Sequence, residues 1–245
     1  MSEPAKPRRR ALVTGASGGI GAAIAERLGR DGLHVIAHAN GRLDAAQAVV
    51  DRIVGAGGSG EAIAFDVTDH ASAGTACERL LADGAIQVVV NNAGVHDDAV
   101  FPAMRHEQWQ RVIAVSVDGF FNVTRPLVMA MIRTRWGRIV NVSSIAALTG
   151  NRGQVNYAAA KGALNSATKS LALELASRGI TVNAVAPGII DSGMAAAFDR
   201  ATIEKLVPMK RAGTASEVAA LVAFLVSDDA AYISGQIVSI NGAMI

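Results

Sequence analysis

The chain has 245 residues, 23 basic and 21 acidic side chains, a formal net charge of +2, and is 51% hydrophobic with only 4% aromatic residues. That length suits one large domain, and the near balance of charge excludes a dominant basic face for nucleic acid or membrane. A single cysteine, Cys77, excludes an intrachain disulfide and fits a cytoplasmic setting, while 25 glycines favour close helix-on-sheet packing of the α/β class.

Residues 1–10, with Lys6 and Arg8 to Arg10, read as a disordered basic tail without the apolar stretch of a signal peptide. No run of ~20 consecutive apolar residues marks a membrane span. From residue 11 to 245, short apolar runs at 11–13, 34–37, 62–65, 87–90, 138–142, 181–185 and 236–240 alternate with longer helical patterns. Apolar runs without alternation predict strands covered on both faces. Right-handed crossovers then give one α/β domain with a doubly wound, seven-stranded parallel sheet, whose ligands bind beyond the carboxyl ends of the strands.

The first run is followed by Thr14-Gly15-Ala16-Ser17-Gly18-Gly19-Ile20-Gly21 and then a strong helix former. Gly15, Gly19 and Gly21 allow a tight turn and close approach of a pyrophosphate to a helix N-terminus, with Ser17, Gly18 and Ile20 beside it. A merely structural strand-to-helix turn has the same glycines. After the second run, His38-Ala39-Asn40-Gly41-Arg42 holds no carboxylate to bond a ribose 2′-hydroxyl and repel a 2′-phosphate. Arg42 offers a planar fork for that phosphate and Asn40 or Ser17 a hydrogen bond, which favours NADP(H); a solvated loop arginine is the plainer alternative. Asp66 and Val67 follow the third run, where Asp66 either accepts from an adenine amino group or caps the next helix. Asn92, Ala93 and Gly94 follow the fourth and can line the adenosine ribose.

Ser144 lies just past the fifth run, able to donate to a carbonyl oxygen that gains charge. Tyr157 and Lys161 are four apart at the head of a long helical segment, so phenol and ammonium share a face. A cation beside the phenol favours phenolate and tunes it for acid/base work.

Thr14-Gly15-x-x-x-Gly19-Ile20-Gly21, Asn91-Asn92-Ala93-Gly94, Ser144 thirteen residues before Tyr157, Tyr157-x-x-x-Lys161 and Pro187-Gly188 together resemble the short-chain dehydrogenase/reductase family over nearly the whole chain. The segments Gly150 to Tyr157 and Gly235-Gln236-x-x-x-x-Asn241-Gly242 are similar to its branch of 3-oxoacyl-carrier-protein reductases. The resemblance implies a Rossmann fold and NADPH-dependent reduction of 3-oxoacyl thioesters, in fatty-acid or a specialised pathway such as aryl-polyene synthesis. It makes Tyr157 the proton donor, Ser144 the residue that orients the carbonyl, and Lys161 the holder of the nicotinamide ribose. Tyr157 and Lys161 thus also touch the cofactor, as do Pro187, Gly188, Ile189, Ile190 and Ser192. Arg135 and Arg178 stand where such enzymes dock acyl-carrier protein, and a homotetramer is implied, with Leu164, Leu171, Leu175 and the segment 240–245 at its interfaces. No metal is implied.

Three positions depart from the family pattern. Ser116 replaces an asparagine whose main-chain carbonyl positions a relay water, so a modified relay is expected if the helix keeps a local irregularity there. Gly18 replaces a basic residue that helps hold the 2′-phosphate, and Ser192 replaces a threonine. Segment 191–210, with Gly193, Met194 and Met209, is expected to be a lid over the substrate. A dehydrogenase of a free small alcohol or ketone, and a non-catalytic dinucleotide-binding protein, remain open on sequence alone.

Overall fold

The computed structural model describes residues 8–191 and 199–245. Strands β1 (Arg10–Val13), β2 (His34–Ala39), β3 (Ser59–Ala64), β4 (Val88–Asn91), β5 (Gly137–Val142), β6 (Ile180–Pro187) and β9 (Ile237–Ile240) form one parallel sheet in the order β3-β2-β1-β4-β5-β6-β9. β7 (Ile190–Asp191) and β8 (Gly213–Thr214) pair separately in parallel. The expected seven-stranded, doubly wound sheet is therefore observed, with strand boundaries shifted by up to a few residues.

Each strand sends alternate residues into two cores. Ala11 and Val13 of β1, with Val88 and Val90 of β4, meet α1 (Gly19–Arg30), α2 (Leu43–Gly55) and α9 (Ala215–Val226) on one face. Leu12 and Val89 point to the other face, against α3 (His70–Ala82), α5 (Gly119–Thr134) and α7 (Val155–Leu175). Two covered faces leave no place for a solvated alternate position, which is why the sequence runs are continuously apolar. Cys77 lies inside the second core, and burial pushes its thiol up to about 12, so it is an inert filler.

Arg8, Arg9 and Arg10, expected in a disordered tail, are among the described residues. Arg10 belongs to β1 and is buried, donating to the carbonyls of Leu80 (2.6 Å) and Gly84 (2.9 Å) and pairing with Glu61 at 3.0 Å. Arg9 stacks 3.7 Å above the Trp136 ring and pairs with Asp228 at 3.1 Å. Residues 1–7 lie outside the described residues.

Helix α4 (His106–Ile113) runs through a π-helical turn, Ala114–Asp118, into α5. This 29-residue unit, with hydropathy 1.3, is long and apolar enough to pass for a membrane span. It carries Arg111, Asp118, Arg125 and Arg133, and its Val123, Leu127 and Met131 are fully buried against the sheet. Two residues read as interface positions, Leu164 and Leu175, face the subunit's own core instead, being 2% and 5% exposed. The exposed large apolar side chains on these helices are Phe121, Met129, Val155 and Leu173; helical phase, which depends on the true orientation of α7, decided the difference.

Leu12 is fully buried at the centre of β1. Leu12→Ala should destabilise the protein by roughly 2–5 kcal/mol, read from urea unfolding; a loss below about 1 kcal/mol would contradict this packing.

Candidate active site

The sheet order reverses between β1 and β4, and the chain leaves both strands there at their carboxyl ends. A cleft of about 410 Å³ opens at this point. Such a crevice is the ligand position of an open α/β sheet.

One end of the cleft is the glycine turn and the start of α1. A Cβ on Gly21 would run into the Gly15 carbonyl and Asn92 Nδ2, and Gly15 itself has φ +64°. Asn92 clamps the turn by donating Nδ2–H to the carbonyls of Thr14 (2.9 Å) and Gly15 (3.1 Å). The Thr14 hydroxyl accepts from the amides of Asn92 (3.0 Å) and Ala93 (2.9 Å). Helices α3, α8 (Arg200–Leu206) and α9 are capped by Asp69, Asp199 and Thr214, whereas α1 has no side-chain cap and no acidic residue in its first turn. Its leading N–H groups are thus available to an anion. Gly18 is extended at φ 177°, with nothing within 4 Å of an added Cβ, so no glycine is needed there.

The opposite wall holds Ser144, Tyr157 and Lys161. Asn156, fully buried, donates to the carbonyls of Asp97 (3.0 Å) and Gln108 (3.3 Å) and accepts from the Tyr157 amide (2.8 Å), pinning the first turn of α7 to α4 and the loop after β4. Tyr157 shares a side-chain hydrogen bond with Ser144, whose hydroxyl also accepts from the Ala146 amide at 3.2 Å. Lys161 is 3% exposed, donates to the Val142 carbonyl at 2.8 Å, and lies 5.7 Å from the Tyr157 ring centroid. A Cβ on Gly94 would stand 3.0 Å from that ammonium, so the small residue makes room for it. An ammonium has three donors. One is used on Val142, and the other two have no partner among the described residues.

The expectation that Lys161 holds the phenol low is not met in this geometry. Burial, the largest effect, pushes Tyr157 up, aided by the Asp98 charge and opposed by the Ser144 hydrogen bond. Burial also brings Lys161 down to about 8. Both shifts have one origin, the low-dielectric wall they share.

Gly15, Ser17, Gly18, Gly19, Ile20 and Gly21 all line the cleft, as do Arg42, Asn92, Ala93 and Gly94. Ser144, Tyr157, Lys161, Pro187 and Gly188 join them. Asn40 is exposed at the end of β2, outside the lining. Asp66 accepts from the amide and hydroxyl of Thr68, both at 2.8 Å, and leaves the cap of α3 to Asp69; Val67 beside it is buried. Ile189 and Ile190 line a neighbouring cavity behind the Pro187-Gly188 turn, not the cleft. Ser192, Gly193 and Met194 lie outside the described residues, while the rest of the expected lid contains α8.

Ser116 is in the π-helical turn, 3% exposed, with no hydrogen-bond partner for its hydroxyl. The local irregularity expected there is present. Arg135 and Arg178 are near each other, since Arg135 donates to the Ser177 carbonyl at 3.3 Å, but they precede β5 and β6. They therefore lie at the amino edge of the sheet, and α7 carries the chain about 27 Å from Tyr157 to Leu175, three residues before Arg178.

Sequence reading overlooked His38. Its Nδ1 accepts from the Gly15 amide at 3.2 Å and its Nε2 meets the Phe65 carbonyl at 2.9 Å. Those partners require the neutral Nε2–H tautomer, and burial brings the group down to about 4. The only signal was a histidine directly after the second apolar run. Among the described residues no cluster of three or more His, Cys, Asp or Glu side chains could hold a metal.

The model of the short chain dehydrogenase family matches residues 9–203. A 3-oxoacyl-[acyl-carrier-protein] reductase of Escherichia coli (strain K12) is 44% identical over 238 residues, covering 96% of this chain and 96% of that relative. The one from Aggregatibacter actinomycetemcomitans is 43% identical over 241 residues, covering 95% and 98%, and that from Staphylococcus aureus (strain Mu50) is 41% identical over 243 residues, covering 98% and 99%.

With Lys161 at about 8 in the fold and near 10.5 unfolded, the unfolded chain binds the extra proton between those values. The contribution is thus fully present above the unfolded value and lost as pH falls through about 8. The stability of the parent relative to Lys161→Met should rise by roughly 1–3 kcal/mol between about pH 7 and about pH 10; unfolding curves with no such trend would contradict the buried ammonium.

Proposed function

The chain belongs to the short chain dehydrogenase family, and from that premise we propose that it reduces 3-oxoacyl thioesters on acyl-carrier protein to 3-hydroxyacyl thioesters with NADPH. The observation that carries this reading is the convergence of Ser144, Tyr157 and Lys161 on one wall of a cleft that ends at the uncapped start of α1. The curated relatives named above are reductases of that substrate class.

The fit to a dinucleotide is chemical. The free N–H groups of α1 suit a pyrophosphate, and the two unused donors of Lys161 suit ribose hydroxyls. Arg42, which lines the cleft, and the lack of a carboxylate after β2 favour the 2′-phosphate of NADPH. Asn40 and Asp66 remain at the adenosine end of the reading, and Pro187 and Gly188 at the nicotinamide end, with Ile189 and Ile190 in the cavity behind that turn.

Bound NADPH supplies the hydride that reaches the 3-carbonyl carbon. Ser144 donates a hydrogen bond to the carbonyl oxygen and fixes its direction. Tyr157 gives its hydroxyl proton to that oxygen as it becomes an alkoxide, so one proton and one hydride complete the alcohol. The high phenol pKa keeps Tyr157 protonated and ready to donate, and the Lys161 charge beneath the ring stabilises the phenolate left behind. The π-helical turn at Ser116 supports proton resupply through a water held by a main-chain carbonyl, with the serine hydroxyl in place of an amide.

Carrier-protein docking at Arg135 and Arg178 fits their exposure and positive charge. Their distance from the same subunit's Tyr157 ties this docking to a homotetramer, with one subunit's arginines serving a neighbour's cleft. The exposed Phe121, Met129 and Leu173 suit such an assembly. The free thiol of Cys77 fits a cytoplasmic enzyme.

Steady-state assays with an acetoacetyl thioester should give turnover well above that with a panel of free ketones, and no thioester turnover would overturn the reading. Tyr157→Phe should lose on the order of 10²–10⁴ in kcat while binding NADPH as the parent does. Gly18→Arg, which the open space admits without clash, should tighten NADPH binding severalfold, by about 1 kcal/mol, and leave NADH unchanged; fluorescence titration in low and high salt separates the two.

A further inference from the structure

The β1–β2 ladder ends at the pair Val13 and Ala37, and the β2–β3 ladder ends at Ala39 and Ala64. Beyond those pairs the strand ends must be held by other bonds, and it is there that the glycine turn, residues 40–42 and Asp66 leave the sheet. His38 supplies bonds to both neighbours. Its carbonyl accepts from the Ala16 amide at 2.7 Å, and its Nδ1 accepts from Gly15 at 3.2 Å. The opposite edge of the ring donates to the Phe65 carbonyl at 2.9 Å, and the ring packs on Phe65 with centroids 4.1 Å apart. The side chain is 1% exposed and lies on the sheet face shared with Ile36.

Resting on the dinucleotide reading above, we propose that His38 is a positioning residue that locks the glycine turn to the ends of β2 and β3, and so sets the adenosine half of the site for its ligand. It touches neither the nicotinamide end nor the acid/base wall. Two consecutive amides of the turn, Gly15 and Ala16, are held by this one residue, so those of the first turn of α1 remain for the anion. Asn92 and Thr14 hold the turn from the β4 side, and His38 holds it from the β2 side. A neutral imidazole suits the task because it accepts at one nitrogen and donates at the other across two strands. A carboxylate could not donate to Phe65, and a hydroxyl could not span both.

The test compares NADPH with reduced nicotinamide mononucleotide, which lacks the adenosine half. His38→Phe keeps a ring and loses both bonds; His38→Asn keeps an acceptor for Gly15. His38→Phe should weaken NADPH binding on the order of tenfold, with kcat at saturating NADPH and turnover driven by the mononucleotide both within about twofold of the parent. His38→Asn should recover most of the affinity. If His38→Phe does not fold, His38→Gln, which reaches Phe65 but leaves the Gly15 amide without its acceptor, carries the same expectation. NADPH affinity unchanged in these variants, or mononucleotide turnover lost in the same proportion, overturns the proposal. A parent that binds no NADPH removes the dinucleotide reading and this inference with it, whereas a parent that binds NADPH beside an unaffected variant overturns this inference alone.

Discussion

Coverage of both faces of a parallel sheet is the constraint from which the rest follows. With Leu12, Ile36, Val89 and Ile139 buried on one side and Val13, Ala37, Val90 and Val140 on the other, the interior of the sheet has no room for chemistry. The polar groups of the cleft lie where the ladders stop. At the carboxyl edge, freed backbone amides, the open start of α1 and the ends of β4 and β5 meet at the reversal of strand order. The amino edge is used for fastening, by Arg10 on Glu61 and by Arg9 and Trp136 with Asp228.

The same burial sets the electrostatics of the acid/base wall. Lys161 enters a nearly dry position with one carbonyl partner, which makes its charge costly and its remaining donors valuable to a polar ligand. Tyr157 is kept protonated by the surroundings that make Lys161 easier to neutralise. Phenol and ammonium are therefore shifted in opposite directions by one cause. Placement depends on neutral amides: Asn156 fixes the first turn of α7, and Asn92 fixes the glycine turn.

Much of this was legible because it depends on local patterns. Glycines 15, 19 and 21 announce a tight turn, and the spacing of Tyr157 and Lys161 announces a shared helix face. The continuous apolar runs announce a sheet covered twice. What escaped depends on partners distant in sequence. His38 looked like one residue in a loop lacking a carboxylate, since Gly15 and Phe65 lie 23 and 27 residues away. Leu164 and Leu175 looked like interface residues until the orientation of α7 turned them inward and left Leu173 outside.

The sequence by itself determined the fold class, the glycine turn and the shared helix face of Tyr157 and Lys161, because periodicity and short spacings encode element type and shared faces. Only the tertiary structure decided that burial pushes the Tyr157 phenol up, that Arg10 belongs to the sheet, and that Arg135 and Arg178 lie at the edge opposite the cleft. Desolvation and long-range position are properties of the packed whole. No local pattern contains them, because they arise when strands distant in sequence are brought side by side.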